Sequence, residues 1–369
     1  LLEQRDYQDR VVRQVVDYFE AGDQTVMIES PTGSGKTIMA LRVLKHFEEK
    51  YGYRVNWVSM RRNLLRQVGE MNERFFGLRK MTPVSMFNSS PPPADITVVD
   101  EAQHDATASC IHIHEASQSR FILGLSATPY RTDTLKLAFK RVVKDAGLQR
   151  LIQEGWLCPY QHWAVDEWTV RCVMDTYLRE PTRWGKTVVF LPTVLDCHLF
   201  ALGLIVGGHH CEVVTADTDR EAQLDAFDAG KFSVVANVAI LGEGFDCPDL
   251  QTVFVRDASK LPTIQMAGRG FRCHPGKTHC NIVQSRNATW QFTRTARPQR
   301  SHVWRDDRWL SLTASDVVDR AAQQTARRIA ALDVRLPPFL RRELPRRPVL
   351  GTVPQDHYRP PSLRRHAPE

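Results

Sequence analysis

The chain has 369 residues, 42% hydrophobic and 25% charged, with a formal net charge of +7. That length suits two domains of ordinary size. No run of about 18 apolar residues is present, so a membrane role is not expected. The charge is uneven: residues 286–369 carry 17 Arg, no Lys and 8 Asp or Glu, a net +9, whereas residues 1–285 carry 32 basic and 34 acidic groups. A basic terminal segment beside a near-neutral body points to nucleic-acid contact. Residues 1–6 lack a basic stretch followed by an apolar one, so no secretory leader is expected. The missing initiator Met suggests a chain that begins inside a longer one. The eight Cys form no C-x-x-C pair. Cys273, His274, His279 and Cys280 fit no common zinc spacing, so reduced thiols in a cytoplasmic protein are the expectation.

In chain order, Val11, Val12, Val15, Val16 and Phe19 recur at helical spacing until Gly22. Val26-Met27-Ile28 reads as a buried strand, and residues 38–47 as a helix. Between them lies Pro31-Thr32-Gly33-Ser34-Gly35-Lys36-Thr37. Glycines at 33 and 35 let successive backbone N–H groups turn inward on an anion, and the following helix presents its positive end to the same place. Lys36 would reach the β- and γ-phosphates and Thr37 would ligate Mg²⁺. Residues 54–59 read as a strand and 63–75 as a helix. A strand at 96–99 ends in Asp100-Glu101, and one at 121–127 ends in Ser126-Ala127-Thr128-Pro129. Strands alternating with helices predict a parallel sheet, whose ligands gather at the carboxyl ends of its strands.

Residues 161–183 read as a bridge. A second alternation follows, with strands at 186–191, 211–216, 232–238, 252–256 and 278–283, and helices at 194–205, 220–229 and 261–271. After Gln284 the rhythm ends. A helix is expected over 315–332, and the Pro- and Arg-rich stretch from Arg335 is expected to be disordered. The organisation is therefore a first α/β domain over 1–160, the bridge, a second α/β domain over 184–285, and a basic extension over 286–369.

A nucleotide with Mg²⁺ needs a carboxylate for the metal and a base for the attacking water. Asp100 and Glu101 supply them in that order, and His104 is a candidate to relay the state of the site. Positive charge for the transferring phosphoryl group is expected from Arg269 and Arg272. On one continuous helix these fall with Gln265 at i, i+4 and i+7, on a single face.

Taken in order, Tyr7-Gln8, residues 31–37, residues 100–104, Leu125-Ser126-Ala127-Thr128-Pro129, Val188-Val189-Phe190, Gly242-Glu243-Gly244-Phe245-Asp246 and residues 265–272 resemble the motif blocks of a superfamily 2 helicase. The type is DEAD/DEAH-like, near the type III restriction-subunit and phage helicase branch. The resemblance implies two tandem RecA-like P-loop domains with ATP between them and a nucleic-acid strand crossing both. It implies that Gln8 reads adenine with Arg5 beside it, and that Thr32, Gly33, Ser34, Gly35, Lys36 and Thr37 hold the phosphates. Ser126 and Thr128 would couple hydrolysis to movement. Gly244 and Asp246 would contact the nucleotide from the second domain, Gln265 would position water, and Arg269 and Arg272 would be the arginine fingers. Strand contacts are implied at Arg61, Thr82, Thr193, Thr215 and Asn237. Two blocks depart from the family pattern: Ser59-Met60-Arg61-Arg62, and the segment Ile282-Val283-Gln284-Ser285-Arg286-Asn287.

The expected activity is ATP hydrolysis, with Mg²⁺, driving translocation on nucleic acid, DNA before RNA. The alternatives are a double-strand motor serving a nuclease or a replication or recombination partner, and a nucleotide-gated remodelling module without strand separation.

Overall fold

The computed structural model describes residues 3, 5–104, 108–127, 139–242, 244–305, 307–312 and 325. Residues Leu1–Thr313 form one compact unit that holds two sheets. Helix α1 (Asp6–Glu20) buries Tyr7, Val11, Val15 and Phe19, the side of the helix that its apolar spacing defines. Next come β1 (Thr25–Glu29), α2 (Lys36–Tyr51), β2 (Val55–Ser59), α3 (Arg62–Phe75), β3 (Met81–Ser85), β4 (Ile96–Asp100), α4 (Ala108–Ser117), β5 (Phe121–Ser126) and β6 (Arg141–Val143). Their order in the sheet is β3-β2-β4-β5-β1-β6, every pair parallel. The central strands are continuous apolar runs because helices cover both faces. Met27, Val58, Val99 and Ile113 pack on one face, and Phe19, Val26, Ile28 and Leu41 on the other.

The second sheet is built from β7 (Tyr160–Val165) onward, after the short α5 (Leu148–Gln153). It continues with α6 (Val170–Arg179), α7 (Pro181–Trp184), β8 (Thr187–Phe190), α8 (Val194–Val206), β9 (Cys211–Val213), α9 (Arg220–Asp228), β10 (Val234–Asn237), β11 (Thr252–Phe254), α10 (Lys260–Gly268), β12 (Cys280–Ser285), β13 (Arg300–Arg305) and β14 (Arg308–Ser311). The strand order is β14-β13-β7-β12-β11-β8-β10-β9, parallel apart from the β13–β14 hairpin. One face closes over Trp163, Val173, Tyr177, Trp184, Phe200 and Phe254.

Two segments differ from their sequence reading. Residues 161–183, expected as a bridge, supply β7, α6 and α7, and β7 lies inside the sheet between β12 and β13. Its Gln161 and His162 interrupt the apolar run that marks the other inner strands, which hid it. Residues 300–311, expected in the extension, add the hairpin to the same sheet. The helix expected over 315–332 and the disorder expected from Arg335 fall outside the described residues, Thr325 apart. No helix among the described residues is long and apolar enough to cross a membrane.

In both sheets the motif residues follow the carboxyl ends of strands. Ser30, Arg61, Asp100 and Ser126 lie at or just past the ends of β1, β2, β4 and β5, and Gly244 and Gln265 follow β10 and β11. The parallel topology thus collects separate stretches of sequence at one edge.

Candidate active site

The loop between β1 and α2 turns on Gly35, which caps α2 with φ 86° and no side-chain hydrogen bond. The left-handed backbone favours glycine, and a Cβ there would come within 2.5 Å of the Gln8 amide nitrogen and displace it. Gln8 itself is buried; its Nε2 donates to the Ser34 carbonyl at 2.9 Å, and the Tyr7 hydroxyl donates to the same oxygen at 2.5 Å. The first helix of the fold therefore braces the loop from behind. With the Ser34 carbonyl held away, the uncapped amides of α2 are left for an anion. Ser34 Oγ is buried with no hydrogen-bond partner, a cost that a bound acceptor or donor would relieve.

Lys36 Nζ donates to the Ser30 carbonyl at 3.2 Å. Burial holds its pKa below the ordinary lysine value, Glu101 and Asp100 oppose that shift, and Arg269 and Arg272 add to it. Four charged groups from two distant stretches of chain thus bear on one ammonium.

Asp100 ends β4, and Glu101 follows with φ 55°. A non-glycine residue there costs on the order of 1–3 kcal/mol, strain that concentrates at functional sites. The backbone N–H of Glu101 donates to Asp100 Oδ1 at 3.1 Å. Gln103 Nε2 donates to Glu101 Oε2 at 3.0 Å, and Ser126 Oγ donates to Gln103 Oε1 at 2.7 Å. A continuous chain of hydrogen bonds therefore joins the end of β5 to the Glu101 carboxylate. Gln103 was assigned no role from the sequence; its place between the acidic pair and a strand-end serine is the link that linear reading misses. His104 closes the 3₁₀ turn Ala102–His104, and Thr128 lies outside the described residues.

The second sheet closes the site. Thr32, Gly33, Lys36, Thr37, Asp100 and Glu101 line a cavity of about 420 Å³ together with Gly244, Asp246, Arg269 and Arg272. The volume is that of a small-molecule site. Arg269 is 7% exposed. It donates from its NH1 nitrogen to the Phe245 carbonyl at 2.8 Å and from Nε to the Gln265 carbonyl at 3.3 Å. Arg272 Nε pairs with Asp246 Oδ1 at 2.6 Å.

The single helical face expected for Gln265, Arg269 and Arg272 is not formed. Helix α10 stops at Gly268, Arg269–Phe271 is a 3₁₀ turn, and Arg272 is extended at ψ 135°. Two glycines flanking Arg269 weaken the α-helix, and the tighter turn puts both arginines on the cavity. Gln265, Gln8 and Arg5 are not among the residues that line it. The Arg5 guanidinium lies over the Trp156 ring at 5.0 Å, beside Tyr7.

Two family models match the chain: type III restriction enzyme, res subunit, over residues 1–90, and helicase conserved C-terminal domain over residues 168–274. The Saccharomyces cerevisiae protein IRC3, an ATP-dependent helicase by its name, is 23% identical over 76% of this chain and 51% of its own length. The ATP-dependent type ISP restriction-modification enzyme LlaBIII, solved bound to DNA, matches with a TM-score of 0.57 at 16% identity, over 77% of this chain and 27% of that one. Together these matches support a superfamily 2 helicase of the type III restriction-like branch. It spans about half the length of IRC3. Dbp5 of S. cerevisiae, solved bound to RNA and ADP BeF3, shares the fold with a TM-score of 0.57 at 14% identity, over 76% of this chain and 83% of that one.

Within this superfamily 2 fold the five expected strand contacts separate. Arg61 reaches across to the second sheet, donating to the Ile240 carbonyl at 2.8 Å, and Asn63 Nδ2 donates to the Gly244 carbonyl at 3.2 Å. Thr193 caps α8 in a capping box with Asp196 and remains exposed. Thr215 accepts from the Asp217 N–H at 3.2 Å in a turn after β9. Thr82 sits on the edge strand β3, beside Arg54 and Lys80 at the opposite end of the sheet from the cavity. Asn237 is a correction: it is 0% exposed, its Nδ2 donates to the Val189 carbonyl and its Oδ1 accepts from the Leu241 N–H, both at 3.2 Å. Its amide ties β8 to the following turn and presents nothing to solvent.

Arg220, which the sequence reading passed over, stands near Arg61. Burial and that neighbouring guanidinium lower its pKa to about 10. Its Nε and NH2 nitrogens are buried without hydrogen-bond partners. The signal in the sequence was an arginine at the first position of a helix, where like charge opposes the helix dipole and calls for another reason.

Proposed function

We propose that the chain hydrolyses ATP between its two RecA-like domains and couples each cycle to movement along nucleic acid, DNA in preference to RNA. The second domain runs from β7 through β14. The observation that carries the reading is the single cavity onto which Lys36 and Glu101 of the first domain and Arg269 and Arg272 of the second all open. The charge pattern fits a triphosphate: cationic groups on both walls, uncapped amides at the α2 terminus, and an acidic pair at one side. Thr37 and Asp100 are the residues that would hold Mg²⁺, which when bound would neutralise phosphate charge. Glu101, oriented by Gln103, would accept the proton of the attacking water, and Arg269 would oppose charge developing on the transferring group.

Arg61 and Asn63 bind the loop that carries Gly244, which lines the same cavity. A change in the cleft would therefore move the strand-facing loops of both domains against each other, alternating their grip. Arg61 and Arg220 supply two guanidiniums whose mutual repulsion a backbone phosphate would relieve. A duplex-translocating motor for a partner nuclease is the second reading, favoured by the likeness to LlaBIII, a restriction-modification enzyme. The test is ATP turnover measured without nucleic acid and with single-stranded DNA, blunt duplex DNA and RNA. Stimulation by single strands supports the first reading and selective stimulation by blunt duplex the second. Turnover that none of the three raises refutes the motor.

A further inference from the structure

A cavity of about 700 Å³ opens at the amino-terminal ends of β7, β12 and β13. These are the ends of the second sheet opposite the ATP cleft, and strands of three to six residues separate the two by about 10–20 Å. Its charge is one-sided. Arg179, Arg183 and Arg300 line it, and the one carboxylate among the lining residues, Glu180, is ion-paired to Arg183. Among the described residues neither Arg179 nor Arg300 has a carboxylate partner.

The wall behind them is rigid. His302 is the cross-strand partner of Trp163, and their rings stack at 3.8 Å and 12°. Trp163 Nε1 donates to Asn281 Oδ1 at 2.9 Å. The Arg183 guanidinium lies over the Trp163 ring at 4.7 Å and that of Arg179 over Trp304 at 4.5 Å. Stacking holds two planar forks in fixed orientation, which lowers the entropy lost on meeting an anion. The field is felt locally: burial, with Arg183, Arg300 and His279, depresses the His302 imidazole to about 4, so the pocket's cation is arginine at neutral pH.

We propose that this cavity binds phosphate groups, those of a nucleic-acid strand, as a contact separate from the strand path over the ATP cleft. Oriented guanidiniums with few competing carboxylates match phosphodiester oxygens, and a wide mouth admits a polymer. The proposal rests on the reading that the chain binds nucleic acid.

The test compares the wild type with R179Q/R300Q, and with Arg300→Gln alone, whose guanidinium has no carboxylate partner among the described residues. Binding of a labelled oligonucleotide is measured across a salt series, alongside inorganic pyrophosphate, thermal melting and turnover without nucleic acid. The expected result for the double variant is about tenfold weaker oligonucleotide binding and a salt slope reduced by about 2, with melting and basal turnover unchanged. Arg300→Gln should show about half of that slope change. Loss of pyrophosphate binding with oligonucleotide binding intact assigns the pocket to free phosphate and overturns the nucleic-acid assignment. Variants that bind both ligands as the wild type does overturn the site. A wild type that binds no oligonucleotide refutes the function proposed above, and the occupant with it.

Discussion

Arg269→Ala should separate nucleotide binding from hydrolysis. The guanidinium is 7% exposed and fixed by the Phe245 and Gln265 carbonyls at 2.8 and 3.3 Å, so its position is set before nucleotide arrives. An arginine acting on the transferring phosphoryl group is worth about 10³–10⁵ in rate. At 1.36 kcal/mol per tenfold that is about 4–7 kcal/mol of transition-state stabilisation. Ground-state affinity should change little, because Lys36 and the α2 amides remain. The substitution also leaves the buried Phe245 carbonyl without this donor, at about 1–3 kcal/mol of fold stability, so melting must be followed in parallel. The assay is single-turnover hydrolysis set against equilibrium binding of a non-hydrolysable triphosphate, with Arg269→Lys to keep the charge and remove the fork. A folded Arg269→Ala protein that hydrolyses within about tenfold of the wild type would show that Arg269 does not face the reacting phosphate.

Two further outcomes follow from the first domain's geometry. Lys36 has a pKa held below 10.5 by burial, so charging it opposes folding at every pH below that lowered value, and the cost is relieved as pH rises. A bound triphosphate favours the charged form, so nucleotide affinity should fall as pH climbs through a value below 10.5 while the free protein loses no stability from this group. An affinity profile flat to that pH would count against a charged Lys36 in the complex. Gln103→Ala removes the bonds to Glu101 Oε2 and Ser126 Oγ at 3.0 and 2.7 Å. A hydrogen bond to a charged group is worth about 1.5–3 kcal/mol, so turnover should drop about 10- to 100-fold with nucleotide affinity preserved. The double variant with Ser126→Ala should be no worse than Gln103→Ala; additive losses would show that the three residues do not act as one chain.

The amino-acid sequence alone determined the parallel α/β class, the glycine turn ahead of α2 and the acidic pair at the end of β4. Each is local: apolar runs such as 96–99 must be covered on both faces, and Gly35 serves a backbone shape that few residues adopt. It also ordered the blocks well enough to carry the resemblance to superfamily 2 helicases. Only the tertiary structure decided which of those residues share a cavity. Lys36 and Arg269 are neighbours across the cleft because the carboxyl ends of both sheets meet there, a relation between distant stretches that no local pattern encodes. The same holds for Gln103, whose value lies in Ser126, and for Arg220, whose value lies in Arg61. Asn237 shows the reverse case. A polar residue at a strand end reads as a ligand contact until packing reveals that both of its polar atoms are spent inside. The hairpin over 300–311 was hidden for a related reason. Its strands are half exposed at the sheet edge, so their sequence carries a weak apolar signal, and it is pairing with β7 that makes them part of the domain.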